Sequence, residues 1–314
     1  MCFDRTFPPD FVGEVATRLE DGDVAQLWVI EDAFYTAGVS LAATALARSR
    51  QLTVGLGILP AVARNAAITA MEIATLARLA PHRVIAGIGH GVQEWMDQMG
   101  ARPPSPLTTL HEVLTVVRRL LRGETVTFEG RHVTLRDVAL DAPPAVVPPV
   151  LAGVRGPRSL AMAGRSADGV VLAEGAGPTY VTEAVTAAGD PDPFRVSLFT
   201  ALCVTDDARE AHRIMAPFVA ALLPSPSPNI RAHPHFDELV ERWRERGEDG
   251  IADMPPALWH EVGAIGTFDD AVAHIGALGD AGAHDVALFP AADVDVARGQ
   301  IDDVVRIAAA LNAG

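Results

Sequence analysis

Apolar and polar positions along the chain fall into short blocks, and the clearest of them is Leu52–Gly91. It opens with Leu52–Leu59, an apolar run too short for a helix and bounded by Pro60, which predicts a buried strand. Between Asn65 and Ala80, residues such as Ile68, Met71, Ile73 and Leu76 form a broad apolar stripe at helical spacing. Pro81 ends that helix, and Val84–Gly89 is a second apolar run. A strand–helix–strand unit of this kind needs a parallel sheet covered on both faces. Both strands end in glycines: Gly55 and Gly57 in the first, Gly87, Gly89 and Gly91 in the second. Glycine in such places marks a bulge or a close approach of backbone. The pattern predicts thin backbone at one rim of the sheet, the rim at which ligands sit in α/β folds.

The same alternation runs through the rest of the chain. Met1–Arg5 predicts the remnant of a first strand, followed by a helix to about Leu19, and Gln26–Ile30 a second strand ending in Glu31-Asp32. Leu41–Ala47 reads as a short helix. Thr109-Leu110-His111-Glu112 has the form of a capping box, opening an amphipathic helix that Gly123 stops. Thr125–Leu135 alternates around Glu129-Gly130 and predicts a β-hairpin. Val150–Gly153 predicts strand five, with a helix to about Arg165, and Val170–Ala173 strand six, followed by Glu174-Gly175. Arg195–Thr205 predicts strand seven, and Asp207–Leu223 a helix. Residues 224–262 read as a loop-rich insertion before strand eight, with one charged helix near Phe236–Arg246, and a lid is one use for such a segment. Thr267–Leu278 predicts a helix, Asp285–Phe289 the last strand and Val296–Leu311 a closing helix. Eight strands with helices between them and no break in composition predict one α/β domain over residues 1–314, a (β/α)8 TIM barrel. The competing architecture, an open doubly wound sheet, lacks its G-x-G-x-x-G after strand one.

Composition narrows the function. No apolar run reaches the roughly 18 residues of a membrane span, and Met1-Cys2-Phe3-Asp4 does not begin a signal peptide. Two cysteines, Cys2 and Cys203, provide no disulfide or thiolate framework, so a cytoplasmic protein is expected. All 25 basic residues are arginine. The absence of lysine excludes Schiff-base and PLP chemistry and phosphate loops of the Walker type. A net charge of −15 speaks against a nucleic-acid surface, and an anionic ligand must be met locally by arginine and backbone N–H groups.

Three stretches carry candidate chemistry. Glu31 and Asp32 stand at the C-terminal end of strand two, where a carboxylate either serves the site or caps the next loop. Gly153-Val154-Arg155-Gly156-Pro157-Arg158 opens a helix, and glycines plus arginine at a helix N-terminus make an anion cradle or simply a tight βα loop. His90, between Gly89 and Gly91, either contacts a ligand or bonds backbone in its loop. A metal is not expected: His233-Pro234-His235 lies in the proline-rich insertion, and Asp4-Arg5 occupy the end of strand one where metal-dependent barrel hydrolases carry H-x-H. No G-x-S-x-G nucleophile elbow is present.

The ordered set V-G-x-G-I-L-P (54–60), R-N-x-x-x-x-A-x-E-x-A-T-L (64–76) and G-I-G-x-G (87–91) resembles the luciferase-like monooxygenase superfamily, and within it the branch that uses the deazaflavin coenzyme F420, the branch of the methylenetetrahydromethanopterin reductases. The resemblance implies hydride transfer between C5 of F420 and a small organic substrate. Asp32, with Glu31 behind it, would stand at the reactive ring as acid–base or polarising group. Gly57 and Ile58 match a bulge with a non-proline cis peptide behind the ring, and Gly89, His90 and Gly91 a segment that approaches the coenzyme. Gly153, Val154 and Arg155, with Ala173, Glu174 and Gly175, would line its tail and the mouth. The hairpin matches a scaffold insertion of the family. Relatives are commonly dimers or higher, so a homo-oligomer is expected. Two alternatives stand beside this reading: an FMN-dependent monooxygenase using O2, and a non-catalytic flavin-binding protein.

Overall fold

The structure, a computed structural model, describes residues 1–313. Its main sheet holds nine parallel strands. The path runs β1 (Cys2–Phe3), β2 (Gln26–Val29), β3 (Thr53–Pro60) and β4 (Val84–Gly89), and after a detached hairpin of β5 (Val126–Glu129) and β6 (Thr134–Val138) it continues with β7 (Val150–Gly153), β8 (Gly169–Leu172) and β9 (Arg195–Val204). The ten-residue β9 is shared: Ser197–Ala201 pair with β11 (Asp285–Phe289), and Ala201–Val204 with β10 (Gly263–Gly266). The sheet curls until β11 meets β1, where the Cys2 thiol lies 3.8 Å from the Ala287 carbonyl. The result is a (β/α)8 barrel with helices outside.

Side-chain parity explains the closure. On β2, Trp28 and Ile30 point into the barrel, where Ile85, Leu151, Val171 and Phe199 join them, while Leu27 and Val29 pack outward against the helices. Trp28 meets Phe199 edge-on, with ring centroids 5.6 Å apart. Glycines make room for these rings: a Cβ on Gly55 would overlap Trp28, and one on Gly57 would overlap Phe199. At the opposite end, Asp285 accepts both Arg195 Nε and Nη2 at 2.6 Å, the Ser197 hydroxyl at 2.6 Å and the Gln26 amide, which plugs the barrel floor.

Three expectations are corrected. Gly263–Gly266 is an additional strand; four residues with two glycines carry too little apolar signal to stand out. The amphipathic helix begins at Pro106, a residue suited to the first helical position, so Thr109 and Glu112 are not its cap. Glu112 instead accepts the backbone N–H groups of Arg131, His132 and Val133 at 2.7–2.9 Å and fastens the hairpin turn to the barrel. The stretch 224–262 is more ordered than its composition suggests: it holds the helices Pro228–Arg231, Phe236–Ala252 and Pro256–Trp259, the second broken at Gly247. Asn229 donates to the Glu174 carbonyl at 2.7 Å, and the Thr179 hydroxyl donates to Glu261 at 2.7 Å, so both ends of the insertion are tied to the barrel rim.

Candidate functional site

The C-terminal ends of the strands surround a cavity of about 1020 Å³. Asp32, Gly57, Ile58, His90, Gly91, Gly153, Val154, Arg155, Ala173 and Glu174 all line it; Glu31, Gly89 and Gly175 do not. The parity of β2 separates the two carboxylates. Trp28, Ile30 and Asp32 share the inward side, and Glu31 turns to the helix side. There it accepts Arg64 Nη1 at 2.5 Å, Arg64 Nη2 at 2.9 Å and the Gly38 N–H at 2.8 Å, a buried structural ion pair.

Asp32 faces the cavity beside Arg5, whose Nη1 donates to its carboxylate at 2.6 Å. Arg5 is held in turn by aromatic faces, its guanidinium carbon 4.8 Å from the Tyr35 ring and 5.4 Å from the Trp95 ring. Such cation–π contacts contribute about 0.5–1 kcal/mol each at exposed sites. The Asp32 carboxylate is therefore fixed in position while one side stays open to the cavity. Asp4, also at the wall, accepts the Thr6 N–H and hydroxyl on one carboxylate oxygen, Oδ1.

The strand β3 breaks register between Leu56 and Leu59, and the Gly57–Ile58 peptide is cis, as the motif implied. The Ile58 side chain lies over two glycines: a Cβ on Gly153 would come within 2.7 Å of it, and one on Gly89 within 3.0 Å. Gly89 thus supports Ile58 from below. Gly175, at φ +79°, turns the chain so that Ile230 of the insertion packs on it.

His90 Nε2 lies 3.4 Å from the Ser159 hydroxyl, and its Nδ1 is buried. Burial pushes its pKa below the usual value, opposed by the Pro106 carbonyl, so the ring is neutral at pH 7. Ser159 lies in the first turn of the helix Pro157–Ser166, whose N-cap Gly156 has no side chain to occupy the free N–H groups. The Tyr180 hydroxyl donates to the Arg155 carbonyl and sets this loop, while the exposed Arg155 guanidinium stands 3.8 Å from Glu174. Free N–H groups, an arginine and a neutral histidine on one wall suit a phosphate-bearing ligand.

The far wall was not legible from sequence motifs. Ile214, Met215 and Phe218 reach it from the helix Ala208–Leu222, and Phe289 and Val296 from the end of β11 and the helix beyond. Phe289 alone carried a signal, as the last residue of a strand at the rim. His233 of the insertion is structural: its Nε2 donates to the Leu258 carbonyl at 3.0 Å and its Nδ1 accepts the His235 N–H. Among the described residues, no group of three or more His, Cys, Asp or Glu side chains is placed to hold a metal ion, and no helix is long and apolar enough to cross a membrane.

The profile of the luciferase-like monooxygenase family matches residues 4–285. A 5,10-methylenetetrahydromethanopterin reductase of Methanolobus tindarius is 29% identical over 232 residues, 71% of this chain and 70% of that enzyme. In fold, the chain is similar to the coenzyme F420 dependent tetrahydromethanopterin reductase of Methanopyrus kandleri, with a TM-score of 0.79 and 20% identity over 98% of this chain and 96% of that one. It is also similar to the oxygenating constituent of 3,6-diketocamphane monooxygenase of Pseudomonas putida, solved with FMN, at a TM-score of 0.73 and 16% identity over 98% and 95% of the two chains.

Proposed function

The chain belongs to the luciferase-like monooxygenase family, and from that premise we propose that it is an oxidoreductase that binds coenzyme F420 and exchanges hydride with a small organic substrate. The observation that carries the reading is the wall formed by His90, Ser159, Gly156 and Arg155, where uncapped helical N–H groups and an arginine converge on one cavity. That donor set fits the phosphate-bearing side chain of F420, and the chain has no lysine to do the same work elsewhere.

When bound, the coenzyme supplies a hydride donor or acceptor at C5 of its ring. The protein's own residues bind, orient and polarise. Ile58, seated on Gly89 and Gly153, forms the floor beside Gly57; Gly91, Gly153, Val154 and Ala173 shape the wall. Asp32, oriented by Arg5, is the group that holds or takes a proton at the substrate oxygen, and Arg5 is its positioning residue. Glu31 has no part in this chemistry. The same reading takes the chain as one barrel domain of a cytoplasmic enzyme. It also makes it a homodimer, supported by the exposed apolar positions Ile68, Met71 and Leu79 on the helix Ala66–Leu79.

A second reading, an FMN-dependent monooxygenase using O2, draws on the fold likeness to the FMN-bound enzyme. Fluorescence titration of the apoprotein with F420 and, separately, with FMN distinguishes the two. Micromolar or tighter binding of F420 alone is the expected result. Preference for FMN moves the chemistry to oxygen, and binding of neither refutes the roles given to His90 and Arg155.

A further inference from the structure

The cavity has two chemically unlike halves. From β1 to β8 its wall carries Asp4, Arg5, Asp32, His90, Arg155 and Glu174. Beyond Glu174 it is built by the end of β9, the helix Ala208–Leu222 and the segment after β11. Phe199, Ile214, Met215, Phe218, Phe289 and Val296 supply its surface, and no arginine or histidine lines it.

The polar groups that reach this second half are already occupied. The Thr205 hydroxyl donates to the Asp207 carbonyl at 2.8 Å. Gln300 donates from Nε2 to the Leu202 carbonyl at 3.0 Å and accepts the Ala291 N–H at 2.7 Å, which also ties the segment after β11 to the end of β9. Burial raises the Cys203 thiol to about 11, so it remains neutral. A phosphate or carboxylate placed here would lose hydration with no opposing charge to replace it, inside a chain of net charge −15. Apolar surface loses nothing by the same move.

Resting on the coenzyme placement given above, we propose that the half of the cavity between β9, the helix Ala208–Leu222 and the segment after β11 is the substrate subsite, and that it takes an uncharged, mainly apolar small molecule, not a phosphorylated or otherwise anionic one. The Arg155 side of the other half serves the coenzyme, Asp32 and Arg5 on β1 and β2 beside β11 meet the substrate oxygen, and selectivity among substrates comes from hydrophobic fit, graded by size more than by hydrogen bonding.

The test titrates the full chain calorimetrically with methyl ketones from butanone to octanone, with and without F420, and with hexyl phosphate while F420 occupies the arginine-bearing half, which would otherwise take the phosphate itself. The expected result is an affinity rising about two- to fourfold per added CH2, with hexyl phosphate at least about tenfold weaker than hexanone, as an unpaired buried charge requires. Ile214 and Val296 are 55% and 53% exposed, so Ile214→Asp and Val296→Asp leave the fold intact, which thermal unfolding checks. Each should weaken octanone about fivefold or more by bringing a carboxylate to the apolar wall. A flat ketone series, tighter binding of hexyl phosphate, or octanone binding unchanged in both variants overturns the inference. If F420 fails to bind while the ketone series and the variants behave as expected, the subsite stands and the coenzyme assignment falls; if F420 binds and the ketones do not, the reverse holds.

Discussion

Replacing Glu31 by Gln and, separately, Asp32 by Asn removes one charge from each of two adjacent carboxylates with almost no change in shape. The structure assigns them different losses. The Glu31 side chain is 10% exposed and accepts two hydrogen bonds from Arg64 and one from Gly38. Breaking a buried pair of this kind costs about 3–5 kcal/mol. Arg64 retains Glu72 at 3.0 Å, which brings the expected loss for Glu31→Gln to about 2–3 kcal/mol. At about 2 °C per kcal/mol for a chain of this length, the melting temperature should fall by about 4–6 °C. The Asp32 side chain is 27% exposed and pairs with one still more exposed arginine. Such a pair contributes at most about 1 kcal/mol, so Asp32→Asn should melt within about 2 °C of the parent. Turnover reverses the order: Asp32→Asn should lose about a hundredfold or more, with F420 affinity within a few fold, whereas Glu31→Gln should keep its turnover below its melting point. Thermal unfolding and steady-state assays with F420 measure both. Equal stability of Glu31→Gln and the parent, or unchanged turnover in Asp32→Asn, refutes the assignment.

Acid should destabilise the fold through His274. Its Nδ1 donates to the His260 carbonyl at 2.7 Å and its Nε2 accepts from Thr200 at 2.9 Å, and burial lowers its pKa to about 4. Above pH 6.5 both folded and unfolded forms are neutral; below it only the unfolded form gains a proton until about pH 4, so stability falls over that window by up to about 3 kcal/mol. Urea midpoints from pH 7 to 4 should show this slope, and His274→Asn should flatten it. At the barrel floor, Asp285→Ala strands Arg195 and removes the shared acceptor of Ser197 and Gln26, with an expected loss of about 3 kcal/mol. Coenzyme and substrate affinities should not change, because the floor lies at the opposite end of the strands; a large shift in either would contradict the separation of the two ends.

The barrel was readable because parallel strands buried on both faces appear as unbroken apolar runs, as in Leu52–Leu59 and Val84–Gly89. The four residues of β10 fall below that signal. The glycines were readable as close approaches, but a glycine does not name what approaches it: Gly55, Gly57, Gly89 and Gly153 yield space to Trp28, Phe199 and Ile58, the protein's own side chains. The choice between Glu31 and Asp32 was available in principle. Counting by twos from the bulky Trp28 through Ile30 leads to Asp32, and the outward series Leu27, Val29 leads to Glu31. The far wall of the cavity was not available, because a helix seen in sequence shows one apolar stripe without telling which part covers a core and which part an opening.

A chain without lysine makes the bookkeeping of positive charge unusually informative. Arg64 is engaged by Glu31 and Glu72, Arg118 by Asp168, and Arg195 by Asp285, all in pairs that join structural elements. Arg5 is bound closely to Asp32 and lies against two aromatic rings. Arg155 differs: it is exposed, stands at the cavity, and meets its carboxylate partner at 3.8 Å, where water and a ligand compete easily for it. A pair that loose costs little to open, so an incoming phosphate gains a guanidinium without first breaking a strong contact. Of the two arginines that line the cavity, Arg5 and Arg155, the one best placed to receive an anion is thus the less committed, and it stands beside the uncapped helix that would share the charge.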